Sequence, residues 1–157
     1  MIVTLLDLPK IRQKHQNIVL VGGCYDLIHV RHVKFLEKCK KLGDILVVTL
    51  SSDVRVLERK GKMRPIIGEL DRQYMVNSLE FVDFVLISPE SFIDNFPPTR
   101  LVINALRPEV FATNDMRFGE YSDELEQQGI KVVYVEPVDG DSTSNIIQRI
   151  CSKCTSD

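Results

Sequence analysis

The sequence has no apolar run of the roughly 18 residues that a membrane-spanning helix requires, so no segment is expected to enter a bilayer. Nor does one sign of charge dominate: 20 Lys and Arg stand against 22 Asp and Glu, a net charge of −2. A partner held by a general basic field, nucleic acid above all, is therefore not expected. The opening residues, MIVTLLDLPKIRQKHQ, have neither a basic start nor a small-residue cleavage site, and are expected to belong to the mature protein. Cysteine is scarce and supplies no disulfide framework. Cys24 and Cys39 fall in core-like or site-like surroundings, as in a reduced, cytoplasmic protein. Cys151 and Cys154 have the spacing of two metal ligands, but no second pair completes a site, and a frayed tail is the plainer account. Internal repeats, low-complexity tracts and linkers are missing as well. With 157 residues, 44% of them apolar and 27% charged, the chain is long enough for a real core and reads as one domain, residues 1–157.

What is present is an alternation of short apolar runs with helical patterns. Ile18–Val21, Asp44–Leu50, Asp83–Ile87, Val110–Thr113 and Lys131–Val135 read as buried strands. Leu5–His15, Val30–Leu42, Asp53–Arg59, Gly68–Leu79, Arg100–Leu106, Glu120–Gln128 and Ser142–Ile150 read as helices. Leu6, Leu8 and Ile11 are expected to face inward from the first helix, Leu70, Tyr74, Met75 and Leu79 to share a face of the fourth, and Ile146, Ile147 and Ile150 to face inward from the last. Pro89–Asn95, with Pro97 and Pro98, reads as a connection. The alternation predicts an α/β fold, a Rossmann-like open parallel five-stranded sheet with helices on both faces. Ligands of such sheets bind past the carboxyl ends of the strands. That rule singles out Gly22–His32, Ser51–Asp53, Asn114–Asp115 and Glu136–Ser144.

The most informative stretch follows the first strand. Gly22 and Gly23 end it and allow a tight turn. Cys24-Tyr25-Asp26-Leu27-Ile28-His29-Val30-Arg31-His32 then leads into a helix. His29 and His32 stand three residues apart, near one face of the first helical turn, where free backbone N–H groups also point. This is a natural anion site; a polar surface patch is the plain alternative. Gly23-x-Tyr25-Asp26-x-x-His29-x-x-His32 resembles the signature G-x-[FY]-D-x-x-H-x-G-H of the cytidylyltransferase-like nucleotidyltransferases, with Arg31 where that family has glycine. Arg64-Pro65-Ile66-Ile67 followed by Arg72 resembles a second element of the family, and Asp141-Ser142-Thr143-Ser144 resembles a third, I-S-T-[ST]. The resemblance spans residues 17–150, the expected core of the domain. Within the family it is nearest the branch of heptose-phosphate adenylyltransferases and glycerol-3-phosphate cytidylyltransferases. The heptose enzyme of lipopolysaccharide core synthesis is favoured by Leu42-Gly43-Asp44, Ser52-Asp53, Lys60-Gly61 and Asp139-Gly140-x-Ser142-Thr143-x-Asn145-Ile146-Ile147.

The resemblance implies an enzyme that moves a nucleoside monophosphate from a nucleoside triphosphate onto a small phosphorylated sugar or polyol, releasing pyrophosphate. AMP is favoured over CMP because Glu136-Pro137-Val138-Asp139 lacks the arginine with which relatives read cytosine. It implies catalytic roles for His29, His32, Lys60 and Arg72, with His32 on the α-phosphate and His29 on the β and γ groups. It implies nucleotide contacts by Gly23, Cys24, Tyr25, Asp26, Arg31, Asn114, Asp115, Ser142, Thr143 and Ser144. Two readings of Asp26 stay open, a brace of the turn or an orienter of a histidine or a metal-bound water. Ser142–Ser144 are either a phosphate cradle or an ordinary helix cap. Mg2+ is implied as cofactor, riding on phosphates and water rather than in a protein cage. A homodimer is implied, with the helix at Gly68–Leu79 as its candidate face, and the acceptor pocket is expected from loops 89–100 and 114–122. A relative that binds nucleotide without catalysis is the alternative that Arg31 keeps open.

Overall fold

The structure is a computed structural model that describes residues 1–88, 100–116 and 122–154. The strands are β1 (Ile18–Gly23), β2 (Ile45–Leu50), β3 (Phe84–Ile87), β4 (Val110–Thr113) and β5 (Lys131–Tyr134). The helices are α1 (Leu8–Lys14), α2 (Val30–Lys40), α3 (Asp53–Lys60), α4 (Glu69–Asn77), α5 (Arg100–Leu106), α6 (Ser122–Gln127) and α7 (Thr143–Cys154), with a 3-10 turn at Leu5–Asp7. The connection expected over Pro89–Asn95, Pro97 and Pro98 lies outside the described residues, as do the first residues of the helix expected from Glu120 and most of the two expected acceptor loops.

The five strands form one sheet in the order β3-β2-β1-β4-β5, and every neighbouring pair is parallel. Side chains alternate across it. Val19, Val21, Leu46, Val48, Leu50, Val85 and Ala112 point to one side, where Phe35, Leu36 and Cys39 of α2 and Val76 of α4 cover them. Ile18, Leu20, Val47, Leu86 and Phe111 point to the other, against Leu8 and Ile11 of α1, Val102, Ile103 and Leu106 of α5, and Leu125 of α6. Burial on both faces is why these strands are nearly unbroken apolar runs. Met1 and Val3 bond to the backbone of Val85 and cover the open edge of β3. The chain runs outward from β1 through β2 to β3, then crosses back to place β4 and β5 on the other side of β1. The crevice at the carboxyl ends of these strands is therefore the switch point of the sheet.

Two apolar faces differ from expectation, and a third helix buries a face that is mostly polar. Leu6 is 85% exposed, because the chain turns through the 3-10 segment before α1 begins and only Leu8 and Ile11 reach the core. On α4 the buried residues are Arg72, Gln73 and Val76, while Leu70 and Tyr74 are 71% and 68% exposed. The inward stripe runs Glu69, Arg72, Gln73, Val76, which is helical spacing, but it is mostly polar and so invisible to a search for apolar periodicity. On α7 no residue is fully buried and Ile150 is exposed; the helix runs on to Cys154, so Cys151 and Cys154 sit exposed on a formed helix rather than a frayed tail.

Leu8 and Leu6 test the first of these faces. Leu8→Ala should lower unfolding free energy by about 2–5 kcal/mol, whereas Leu6→Ala should change it by less than about 0.5 kcal/mol. Urea denaturation of both variants measures the contrast, and equal costs would mean the α1 register is wrong.

Candidate active site

The site is assembled from strand ends. β1 stops at Gly23, where a Cβ would lie 2.5 Å from Cε2 of Tyr25. Only glycine leaves room for the ring to fold back over the backbone. Tyr25 is buried, in the left-handed region with φ 49°, and its ring meets that of His32 edge-on at 5.3 Å. The tyrosine is thus a wall that fixes one histidine. His29 caps the start of α2 with extended backbone, and its carbonyl accepts the N–H of His32 at 2.9 Å. The two imidazoles stack at 3.8 Å between centroids. Burial lowers the pKa of both; for His32, burial, then the neighbouring His29, Arg31 and Lys60, bring it down to about 4. At neutral pH both rings are neutral, and their Nδ1 atoms are buried without a hydrogen-bond partner among the described residues.

Asp26 is committed elsewhere. Its carboxylate accepts the backbone N–H of Ile66 at 2.8 Å and of Ile67 at 2.9 Å and pairs with Arg64 Nε. The residue braces the loop after α3 against the turn after β1, the first of the two roles the sequence leaves open. This bracing brings Lys60 and Arg64 to the cleft. Ser142 Oγ accepts the N–H of Asn145 at 3.2 Å and so caps α7 while also lining the cleft. Ser142 is therefore a helix cap that also faces the cleft.

The resulting cleft of about 230 Å³ is lined by Cys24, Tyr25, Asp26, His29, Arg31, His32, Lys60, Arg64, Asn114 and Ser142–Ser144. Three cations face one carboxylate there, and that carboxylate is already paired. The starts of α2 and α7 converge on the same space, adding their free N–H groups and positive dipole ends. The arrangement suits a chain of phosphates. A larger depression, about 430 Å³, lies at the opposite ends of the strands beside Arg12, Arg107 and Glu109. Glu109 pairs with Arg12 at 2.5 Å, and no strand carboxyl end opens there.

Of the residues singled out from sequence, Gly23, Arg72 and Asp115 do not line the cleft. Gly23 makes room for Tyr25, and the backbone N–H of Asp115 bonds to Thr113 Oγ1 at 3.0 Å. Arg72 is wholly buried behind the site. Its Nε donates to Ile67 O at 2.9 Å, its Nη1 to Cys24 O, and its Nη2 to Ser51 O at 2.9 Å and Asp53 Oδ1 at 2.8 Å. Those bonds turn its fork away from the cleft. Arg64 is the lining residue that sequence reasoning did not include. The signal was there, since it shares the basic loop with Lys60 and opens the Arg-Pro element.

The cytidylyltransferase-like family matches residues 20–149 of the chain. This chain belongs to the cytidylyltransferase-like family of nucleotidyltransferases. The nucleotidyltransferase is 38% identical over 159 residues to the Bifunctional protein HldE of Pelobacter propionicus, and 40% identical over 146 residues to that of Geotalea uraniireducens. These alignments cover 97% and 88% of this chain but only 30% and 28% of the relatives, so the chain spans under a third of their length. Among solved structures, a lipopolysaccharide core biosynthesis protein from Thermoplasma volcanium superposes with a TM-score of 0.64 at 26% identity, over 81% of this chain and all of that one. A pantoate-beta-alanine ligase from Francisella tularensis also reaches 0.64, at 12% identity over 100% of this chain and 78% of that one, and shares the fold.

The lowered histidine pKa has a consequence for stability. The unfolded chain takes up a proton on His32 near pH 6.5, the folded chain only near pH 4. Stability should therefore fall as pH drops from about 6.5 to about 4, by on the order of 3 kcal/mol from this group, and be unaffected by it above 6.5. Melting temperature against pH should be visibly flatter over that window in His32→Asn. An unchanged slope would show that His32 is not held neutral by the fold.

Proposed function

We propose that this chain transfers the nucleoside monophosphate of a nucleoside triphosphate, ATP in preference to CTP, onto a phosphorylated sugar with release of pyrophosphate. One observation carries the reading: the stacked histidines, Lys60 and Arg64 meet the starts of α2 and α7 in a single cleft at the switch point of the sheet. In the reaction, a phosphate oxygen of the acceptor attacks the α-phosphorus, a new P–O bond forms, the bond to the β-phosphate oxygen breaks, and pyrophosphate leaves with the electron pair. Such a transfer asks the protein for alignment and charge neutralisation rather than covalent chemistry. His32, fixed by Tyr25, is assigned to the α-phosphate and His29 to the β and γ groups. Lys60 and Arg64 balance charge, and Thr143 and Ser144 offer hydroxyls at the start of α7. Tyr25, Asp26 and Arg72 hold these groups in place.

Among the described residues no group of His, Cys, Asp and Glu has the makings of a metal cage, and Asp26 is already bonded. In this reading the chemistry that Mg2+ would supply is neutralisation of triphosphate charge, and no protein ligand is assigned to it. A heptose phosphate is the favoured acceptor, supported by the HldE relatives and by the Thermoplasma neighbour. ATP is favoured by the missing arginine before Gly140. A cytoplasmic setting is proposed because the substrates are phosphorylated metabolites; no helix among the described residues is long and apolar enough to cross a membrane.

Pyrophosphate release tests the function. The wild type, given magnesium, ATP and heptose 1-phosphate, should turn over, and CTP should serve poorly. His32→Ala should lose at least about a hundredfold in kcat with an unchanged circular dichroism spectrum. No pyrophosphate with either nucleotide and a panel of sugar and polyol phosphates would replace this reading with that of a non-catalytic nucleotide-binding relative.

A homodimer belongs to the same proposal, supported by the exposed apolar face of α4 and the preceding loop, with Met63, Ile66, Leu70 and Tyr74 between 54% and 86% exposed. Sedimentation should give a dimer that Leu70→Glu with Tyr74→Glu converts to monomer. A wild-type monomer at micromolar concentration would remove the proposal.

A further inference from the structure

Arg31 is the cation of the cleft that the reading above leaves without a task. Its stem lies against Gly140, in the loop between β5 and α7. A Cβ at position 140 would approach Arg31 Cγ to 3.1 Å, and Gly140 has φ 136°, so glycine serves both the backbone and the arginine there. The guanidinium is held by one hydrogen bond, Nη1 to Gly140 O at 3.4 Å, at the long limit of such bonds. Among the described residues no carboxylate pairs with it. Asp141, next to Gly140, bonds instead to Arg149. Arg31 is thus a permanently charged, planar fork with four of its five N–H donors unused among the described residues, standing among His29, His32, Lys60 and Arg64. Its charge lowers the pKa of both histidines, and with Lys60 and Arg64 it gathers like charges in the cleft that a polyanion would offset.

We propose that Arg31 is a specificity-determining residue: released from Gly140, its guanidinium grips the phosphate chain of the bound nucleotide and makes the cleft prefer triphosphates to monophosphates. The geometry favours this role. Arg31 stands on the first turn of α2 and reaches to the loop entering α7, so its head lies between the two helix starts that face the cleft. Rotation of the terminal torsions frees the head at the cost of one long, exposed hydrogen bond. The stem keeps its seat on Gly140 meanwhile. A bidentate contact of guanidinium with phosphate oxygens is short and strong compared with the bond it replaces. A monophosphate touches only part of the cation row and gains less. The inference rests on the nucleotidyltransferase reading of the same cleft.

Calorimetric titration with magnesium tests it, using ATP, AMP and inorganic tripolyphosphate against wild type, Arg31→Lys and Arg31→Met at two salt concentrations. Arg31→Met keeps an apolar stem over Gly140 and removes the charge. It should weaken ATP and tripolyphosphate about tenfold, the worth of one hydrogen-bonded charge contact. It should barely change AMP and should flatten the salt dependence. Arg31→Lys should fall between. ATP binding by Arg31→Met as tight as wild type, or tighter, would overturn the proposal alone and mark Arg31 as an obstruction. A folded wild type that binds neither ATP nor tripolyphosphate would overturn both the proposal and the function it rests on.

Discussion

The buried guanidinium of Arg72 is the interaction on which the working end of the molecule depends. It bonds to the carbonyls of Cys24, Ser51 and Ile67 and to the carboxylate of Asp53. These four groups belong to the end of β1, the end of β2, the loop before α4 and the start of α3. Strand ends in a parallel sheet present carbonyls with no strand partner, and a buried cation with several donors satisfies them at one point. Taking a charge out of water is costly unless its partners are complete, so the four segments must arrive together or not at all. A tether of this kind holds the cleft wall without any side chain of the cleft being consumed for it.

Asp26 and Tyr25 extend the same scaffold to the chemistry. Asp26 fastens the basic loop through two backbone N–H groups and Arg64, and Tyr25, folded over Gly23, sets His32. The cations Arg31, Lys60 and Arg64 are thereby gathered on one cleft with the starts of α2 and α7. Under the proposed function, a bound triphosphate would offset their mutual repulsion and be aligned by them, which is what phosphoryl chemistry requires.

Much of this was legible before the structure. The strands are apolar runs because both sheet faces are covered, and the site stretch is marked by glycine, an aromatic, an acid and two histidines at fixed offsets. The inward face of α4 was not legible. Glu69, Arg72, Gln73 and Val76 are polar for three positions in four, and an apolar count selects the opposite, exposed side. The resemblance implies a catalytic role for Arg72, but a motif match cannot tell which way a guanidinium points. The exposed isoleucine of α7 misled for the same reason: periodicity names a face but not what lies opposite it.

By itself, then, the sequence determined the alternation of strand and helix, the parallel sheet, and the gathering of an aromatic, an acid and two histidines in the turn after β1. Local propensity, side-chain period and residue type are encoded within a few neighbours, and those suffice. Only the tertiary structure decided that Arg72 is a buried tether, that Asp26 is a brace, that Arg64 faces the cleft, and that Arg31 rests on Gly140. Each of these depends on at least one bond between residues 38 or more positions apart, from Asp26–Arg64 at 38 to Arg31–Gly140 at 109. Which donors remain free for a ligand follows only after the buried carbonyls and carboxylates have taken theirs, because desolvation leaves an unpartnered polar group too costly to keep.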